Sequence, residues 1–497
     1  MNELLTPQEM ARADALAIHC GITGIELMEN AGRAVFDVAS HLVVPGRNVM
    51  VLCGTGNNGG DGFIAARLLH ESGFKVIAAI AGNEASIKGD AAIAFRRMRE
   101  SGVVPVDADE VEPERAALII DALLGAGIDR PVTGRLAALI SRVNGSGVRI
   151  VAVDLPSGIN GANGAVMGIA VQAHHTVTFF RRKPGHLLYP GRHYCGEITL
   201  AQIGIPASVL SGLAPKVFAN DRRIWGKSFP LPQAMGHKYD RGHALVLSGP
   251  QYRTGAARLA AQAALRIGAG LVTLASPVCA MAENAAHLTE IMLREMSNDE
   301  SLRALLSDQR FRAALAGPGG GADASMRGKV AVMLEAGRSA VLDADALTAF
   351  AEEPETLFGL IAASEGDVVM TPHAGEFARL FGNQGSDRLA AAREAAARSS
   401  ATIILKGGDT VIAAPDGRTT INENAPPWLA TAGSGDVLAG LACGLLAQGM
   451  TGFEAACCAV WIHGAAAAEF GPGLIAGDIE KGVPAVMQAL LPVITQL

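Results

Sequence analysis

The stretch from Val49 to Leu69 restricts the fold of this chain more than any other. An apolar run, Val49 to Cys53, leads into Gly54-Thr-Gly-Asn-Asn-Gly-Gly-Asp-Gly62, and a helical pattern follows from Phe63. A strand, a glycine-rich turn and a helix in that order form one βα unit of a parallel sheet. The glycines let the backbone approach a ligand closely, and a helix N-terminus turns unpaired N–H groups toward negative charge. Residues 54 to 59 satisfy G-x-G-x-x-G, the fingerprint of dinucleotide-binding turns. A dehydrogenase would end its second strand, here Lys75 to Ile80, on an acidic ribose partner, and none is present. The turn also lacks the Lys-Ser/Thr of a P-loop, while Asn57, Asn58 and Asp61 need a different explanation.

The same alternation continues on both sides. Thr6-Pro7-Gln8-Glu9 is a capping box with proline at the first helical position, so a helix starts there, and another is expected over Gly24 to His41. Further strands are expected at Ala117 to Asp121, Val148 to Asp154 and Thr176 to Phe180, with helices at Gly62 to Ser72, Ala85 to Gly102 and Gly134 to Val143. From Ile203 to Asp240 the periodicity weakens and four prolines appear, which places a domain boundary there. A second series follows, with strands at 244–247, 271–275, 313–315, 340–343, 368–371, 402–405 and 411–413. Its helices are expected at 255–267, 374–381, 387–399, 435–448 and 453–469. The expectation is two α/β domains, residues 1–215 and 225–497.

Length and composition agree with that division. A chain of 497 residues exceeds one ordinary core. The net charge of -7 leaves no electrostatic footprint for nucleic acid, and the short basic run Arg181-Arg-Lys183 is expected to be a solvated patch. Seven scattered cysteines without a C-x-x-C pair point to reduced thiols in a cytoplasmic protein. Nothing at the N-terminus resembles a signal peptide. The apolar region Val437 to Phe470 is interrupted by polar residues, so two buried helices are expected there, with no membrane span.

In open parallel sheets, ligands bind beyond the carboxyl ends of the strands. Besides the glycine turn, two such ends in the first half carry aspartates: Asp121-Ala-Leu-Leu-Gly-Ala-Gly127, and Asp154-Leu-Pro-Ser-Gly158. Either aspartate alone could simply cap its turn, but a carboxylate closing an apolar strand needs a partner or a cation. These three motifs in order, with Glu26-Leu-Met-Glu-Asn-Ala-Gly32, resemble the NAD(P)H-hydrate epimerases over about residues 1 to 215. The resemblance implies a Rossmann-like three-layer α/β/α domain in which Asn58, Asp121 and Ser157 ligate K+. It also implies that Asn57, Asn58, Gly59, Gly60 and Asp61 line the hydrated dinucleotide site, together with Gly125, Ala126, Gly127, Ile128, Asp129, Arg130 and Pro131. Hard oxygen donors suit such a cation, and Asp154 is the candidate acid/base for epimerisation.

In the second half, Thr431-Ala-Gly-Ser-Gly-Asp436 directly precedes an apolar helix. Small residues at a helix N-terminus create an anion hole, and an aspartate there can take a proton from an attacking hydroxyl; the alternative is an ordinary N-cap. Three more strand ends carry Ala316-Gly-Pro-Gly-Gly320, Thr371-Pro-His-Ala-Gly-Glu376 and Leu405-Lys-Gly-Gly-Asp-Thr410. With His237-Lys-Tyr-Asp-Arg-Gly-His243, these resemble the ADP-dependent NAD(P)H-hydrate dehydratase branch of the ribokinase-like superfamily, over about residues 225 to 497. His373 taken alone reads as a structural residue. The resemblance implies that Ala256, Gly319, His373 and Asp436 contact the hydrated nucleotide, and that Lys406, Gly407, Gly408, Asp409, Thr410 and Gly435 hold ADP. Asp436 would activate the carbon-6 hydroxyl for attack on ADP, with Mg2+ expected beside the phosphates.

These resemblances together describe a repair enzyme for NADHX and NADPHX: one domain interconverts the R and S hydrates, and the other dehydrates the S form at the expense of ADP. A homo-oligomer is expected, with no nucleic-acid or membrane partner. Two other readings stand beside it. One is a small-molecule kinase, acting for example on a vitamin precursor, fused to an epimerase-like domain. The other is a non-catalytic scaffold role for the first domain, as in RNA-decapping proteins with a similar fold.

Overall fold

The structure is a computed structural model that describes residues 2–383 and 385–496. Its chain forms two compact units that divide between Val217 and Phe218.

The first unit is built on a seven-stranded sheet, parallel throughout. The strands run in the order Val106–Asp107, Lys75–Ile80, Asn48–Cys53, Leu118–Ala122, Ile150–Val153, His175–Phe179, Glu197–Ala201. Period two is visible in how each strand divides its side chains. Val49, Val51 and Cys53 join the core beneath helices Pro7–His19, Gly24–Leu42, Asn57–Glu71 and Gly89–Glu100. Met50 and Leu52 join the core beneath helix Gly134–Gly145 on the opposite face. Burial on both faces is why these strands read as continuous apolar runs. From Asn48–Cys53 the chain moves out to Lys75–Ile80 and later returns to the other side at Leu118–Ala122. That reversal leaves a crevice at the carboxyl ends of the two central strands.

The expected helix from Gly62 begins five residues earlier, at Asn57. Gly59, Gly60 and Gly62 therefore lie inside the helix and not in the turn. Their role is close approach: a Cβ on Gly62 would stand 2.6 Å from Ala122 Cβ and 2.9 Å from Cys53 Sγ, and one on Gly60 2.6 Å from Met28 Sδ. A Cβ on Gly59 would collide with the Gly54 carbonyl oxygen. The basic run differs from expectation as well, since Arg181 and Lys183 are buried. Arg181 pairs with Glu3 at 2.9 Å. At the N-terminus the capping box forms as expected, with Glu9 N donating to Thr6 Oγ1.

In the second unit the sheet passes through Thr419–Ile421, Val411–Ala413, Thr402–Leu405, Val368–Met370, Ser339–Leu342, Phe311–Ala316, His243–Leu247, Leu271–Ser276 and Met292–Glu295. The strands are parallel from Thr402–Leu405 to Met292–Glu295. The hairpin Val411–Ala413 and Thr419–Ile421 adds antiparallel strands at the other side. Helices Ser434–Ala447 and Gly452–Phe470 are buried along most of their length, and no helix among the described residues is long and apolar enough to cross a membrane. Helix Ser434–Ala447 lies against Gly255–Arg266 through Gly440 and Gly444, spaced one turn apart. A Cβ on Gly444 would come within 2.6 Å of the Ala264 carbonyl oxygen. The C-terminal helix Ala476–Ile494 contains Pro484 and Pro492, which obscure its periodicity in the sequence.

Gly62→Ala should destabilise the first unit by about 1–3 kcal/mol, because backbone and sheet side chains must separate to admit one methyl group. Gly127→Ala, where an added Cβ meets nothing within 4 Å, should leave the thermal midpoint unchanged. Calorimetry of the two variants checks the contrast.

Candidate functional sites

Two adjoining cavities open at the crevice of the first unit, of about 350 and 700 Å³, sharing Asn57, Asn58, Gly125 and Gly127 in their walls. The turn is short. Gly54 lies against the Leu123 carbonyl, where a Cβ would collide, and helix Asn57–Glu71 starts after Gly56 with no side-chain cap. Its first N–H groups thus remain available to an anion. The larger cavity continues along Ile128, Asp129, Arg130 and Pro131. Asp129 and Arg130 are 85 % and 91 % exposed at their side chains and stand at its rim.

Asn58, Asp121 and Ser157 converge around Leu124. Asp121 is fully buried; Ser157 Oγ donates to its Oδ1 at 2.6 Å and Ser157 N to its Oδ2 at 2.8 Å. Asn58 Nδ2 donates to the Leu124 carbonyl at 2.9 Å, and Leu124 N donates to Ser157 Oγ at 2.9 Å. Burial pushes the Asp121 carboxyl up to about 6 against the Ser157 hydrogen bonds that favour its charge. The set is rich in oxygen and includes one carboxylate that no cationic side chain among the described residues pairs with, the donor chemistry a monovalent cation takes.

The smaller cavity contains the acid–base groups. Asp154 follows strand Ile150–Val153 at φ 63°, an uncommon conformation for a non-glycine residue. Its Oδ1 accepts from Thr178 Oγ1 at 2.9 Å and from the Lys183 ammonium, while its carbonyl oxygen faces His186 Nε2 at 2.8 Å. Burial raises the Asp154 carboxyl, but the charge and hydrogen bond of Lys183, His186 and Thr178 together hold it below its usual value. Asp154 is therefore ionised at neutral pH. Lys183 also donates to Thr178 Oγ1 at 3.1 Å. Two further carboxylates, Asp14 and Asp61, line the same cavity. Burial lifts Asp14 to about 6 and Asp61 well above its ordinary value, with Asp154 adding to both against the pull of Lys183. Sequence reasoning missed Lys183, Thr178, Asp14 and His186. The signal available for Lys183 was its place just after a strand end, in a run that resembled surface charge.

In the second unit a cavity of about 610 Å³ lies at the carboxyl ends of the central strands. Lys406, Gly407, Gly408, Thr410, Gly435, Asp436 and His373 all line it. Asp409 is buried beside Arg388 at 3.4 Å and is absent from that lining, as are Ala256 and Gly319. Gly319 instead supports a neighbouring turn, where its carbonyl oxygen would collide with a Cβ on Gly249. His373 caps helix Ala374–Phe381: its Nδ1 accepts from Gly375 N at 2.9 Å, and Glu376 returns the bond to His373 N at 2.8 Å. Its imidazole is nevertheless more than half exposed and faces the cavity.

Lys406 supplies the cavity's positive charge, with Nζ 2.8 Å from Asp343 Oδ1 and 4.0 Å from Glu376 Oε2. Thr371 Oγ1 donates to the same Asp343 oxygen at 2.6 Å. A Cβ built on Gly435 would stand 3.3 Å from Lys406 Nζ, so the absent side chain leaves room for the ammonium at the helix N-terminus. Asp436 sits in the first turn of that helix. Burial, then repulsion from Asp343 and Asp345, pushes its carboxyl up to about 6 against the pull of Lys406. A carboxylate poised there is mostly ionised near neutrality yet basic enough to take a hydroxyl proton. His463, held neutral by burial at about 4, faces Ser434 Oγ at 3.2 Å and anchors the helix start. Asp343 was legible as the end of an expected strand. The following Ala344, at φ 46°, was not.

Residues 24–185 match the family described as YjeF-related protein N-terminus, and residues 244–474 match NAD(P)H-hydrate dehydratase. The bifunctional NAD(P)H-hydrate repair enzyme Nnr of Moorella thermoacetica is 37 % identical over 98 % of this chain and 97 % of its own. The enzyme of the same name from Escherichia coli is 35 % identical over 95 % of this chain and 90 % of its own. Among solved structures, the ADP/ATP-dependent NAD(P)H-hydrate dehydratase of Bacillus subtilis, co-crystallised with ATP/Mg2+, covers 53 % of this chain and 95 % of its own. Its identity is 30 % and its TM-score 0.47.

Because folding raises the Asp436 carboxyl from 3.8 to about 6, its ionisation costs stability. Stability from this group is full below its unfolded value and is lost as pH rises through about 6. Asp436→Asn should therefore raise stability at pH ~8 by on the order of 2–3 kcal/mol, with the gain vanishing in acid below the unfolded carboxylate range. Denaturant titrations at the two pH values check it.

Proposed function

The chain belongs to the family of bifunctional NAD(P)H-hydrate repair enzymes, and from this we infer that it epimerises R- and S-NAD(P)HX and dehydrates the S form with ADP. What supports this reading is that Asp154 with Lys183 lines a cavity at the strand ends of the first unit, and Asp436 with Lys406 one at the strand ends of the second. The fusion is chemically coherent, since the first activity supplies the epimer that the second consumes.

In the first unit the dinucleotide lies along the two adjoining cavities, its pyrophosphate on the N–H groups of Asn57–Glu71 and of the Gly125–Gly127 loop. Its hydrated ring enters the smaller cavity beside Asp154. K+ would be held by Asn58, Asp121 and Ser157, offsetting the buried Asp121 charge and fixing the 123–127 loop against the substrate. Ionised Asp154 acts as base, and Lys183 keeps it charged.

In the second unit Asp436 takes the proton of the carbon-6 hydroxyl, whose oxygen attacks the terminal phosphorus of ADP. AMP leaves, then the phosphorylated oxygen departs as phosphate with loss of a proton from the adjacent carbon, restoring NADH or NADPH. Lys406 and the N–H groups from Ser434 onward face the developing charge. Asp343 and Asp345 each repel Asp436, and Mg2+ arriving with the nucleotide would relieve that repulsion. The five buried free cysteines accord with a reducing cytoplasm.

Purified protein given S-NADHX and ADP should restore the reduced-nicotinamide absorbance with one AMP per turnover. Accumulation of a stable phosphorylated product would instead support the kinase reading. Asp436→Ala should abolish the absorbance change and spare R-to-S conversion, and Asp154→Ala should do the reverse. Each loss should reach at least ~100-fold in kcat. R-to-S conversion unaffected by Asp154→Ala would remove the epimerase assignment from this cavity.

A further inference from the structure

The smaller cavity of the first unit holds more carboxylates than one proton transfer uses. Asp154 is tied to Lys183 and Thr178. Asp61, on the second turn of helix Asn57–Glu71, lines the same cavity, and no hydrogen bond or ion pair among the described residues engages its carboxylate. The helix glycines bring it there: Gly60 and Gly62 let the helix settle onto Met28, Ala122 and Cys53, carrying the half-buried Asp61 into the cavity wall. A half-buried carboxylate without a donor lowers the cost of its charge by keeping its proton, and partial burial with Asp154 beside it pushes Asp61 well above its ordinary value. Two carboxyl groups in one cavity, one stripped of its proton by an ammonium and one retaining it, form a complementary base and acid.

Resting on the epimerase reading above, we propose that Asp61 is a second catalytic residue, the general acid paired with Asp154 as general base, in a ring-opening epimerisation of the hydrated nicotinamide. The reacting carbon carries both a hydroxyl and the ring nitrogen. Asp154 takes the hydroxyl proton, the O–H pair becomes the second bond of an aldehyde, and the carbon–nitrogen bond breaks. Its electron pair goes to the ring nitrogen, which takes the proton of Asp61. After the aldehyde turns over, the nitrogen attacks its other face, both protons return, and the carbon is inverted with no net gain or loss of atoms or electrons. The charged and titratable groups facing this pair are Asp14 on the first helix, Asp90 on helix Gly89–Glu100, Lys183 and His186. Burial holds His186 neutral at about 4, and Asp14 adds negative charge that favours the proton on Asp61. Lys183 is a positioning residue that acts through Asp154.

The test is the pH dependence of R-to-S conversion by the full chain with NADHX, free of ADP. Wild-type activity should rise with pH as Asp154 ionises and fall again as Asp61 loses its proton. Asp61→Asn should lower kcat by at least ~100-fold with little change in KM, and its residual activity should lack the alkaline fall. Intact dehydration by the second unit and an unchanged melting transition of the first confirm that the variant is folded. Lys183→Met should move the acid limb to higher pH and Lys183→Arg should restore it, with the alkaline limb unmoved in the arginine variant. Disappearance of the alkaline limb in Lys183→Arg would assign it to the lysine and overturn the proposal. A raised KM with unchanged kcat in Asp61→Asn would overturn it too, leaving Asp61 as a binding residue. A wild-type chain without epimerase activity would overturn the functional reading itself, whereas active wild type with active Asp61→Asn overturns only this inference.

Discussion

Both sites depend on a helix that approaches its support without side chains in between. In the first unit, Gly62 removes the methyl group that would separate helix Asn57–Glu71 from strands Asn48–Cys53 and Leu118–Ala122, Gly60 the one that would strike Met28 of helix Gly24–Leu42, and Gly59 the one that would strike the Gly54 carbonyl. In the second, Gly440 and Gly444 do the same between helices Ser434–Ala447 and Gly255–Arg266. Glycine inside a helix costs about 1 kcal/mol relative to alanine. The return is positional: each helix starts at a ligand cavity and presents a carboxylate, Asp61 or Asp436, from its first two turns. Packing density transmits that placement, because a close-packed interior admits no extra methylene without displacing its neighbours.

Opposite environments then give chemically similar groups different roles. Asp154 and Asp61 share a cavity, but the buried Lys183 ammonium is paired with the first, while among the described residues it reaches the second only through its longer-range charge. Asp436 lies between these extremes, raised by burial and by Asp343 and Asp345 but restrained by Lys406. Lysine burial is costly unless its charge is paired, and both cavity lysines are paired with an aspartate. Removing Lys183 or Lys406 would change a carboxylate's charge state as well as a contact.

Much of the site was legible beforehand because ligands gather at strand ends, and strand ends can be read from apolar runs. Asp121, Asp154, Ser157, Lys406 and Asp436 were singled out in this way, and the structure sets each at or just beyond a strand end or at a helix start. Ala256, Gly319 and Asp409 were carried by resemblance alone, and the cavity of the second unit is lined without them. Lys183 was misread because a basic triplet has the same letters whether solvated or buried. Asp14 was invisible because an acidic residue on an amphipathic helix ordinarily faces water.

Alternation of apolar strands with helices, and glycine-rich turns at their junctions, settles the α/β class and the two-unit organisation from the sequence alone. These are local properties, written in periodicities of two and 3.6 residues. The glycine turn at residues 54–62 was local too, yet its meaning was not. Whether those glycines shaped a loop or thinned a helix depended on what lay beneath them, which only the sheet decides. Charge states required tertiary structure for the same reason. The proton on a carboxylate responds to burial and to ammonium groups many residues away, and distance along the chain carries no information about either.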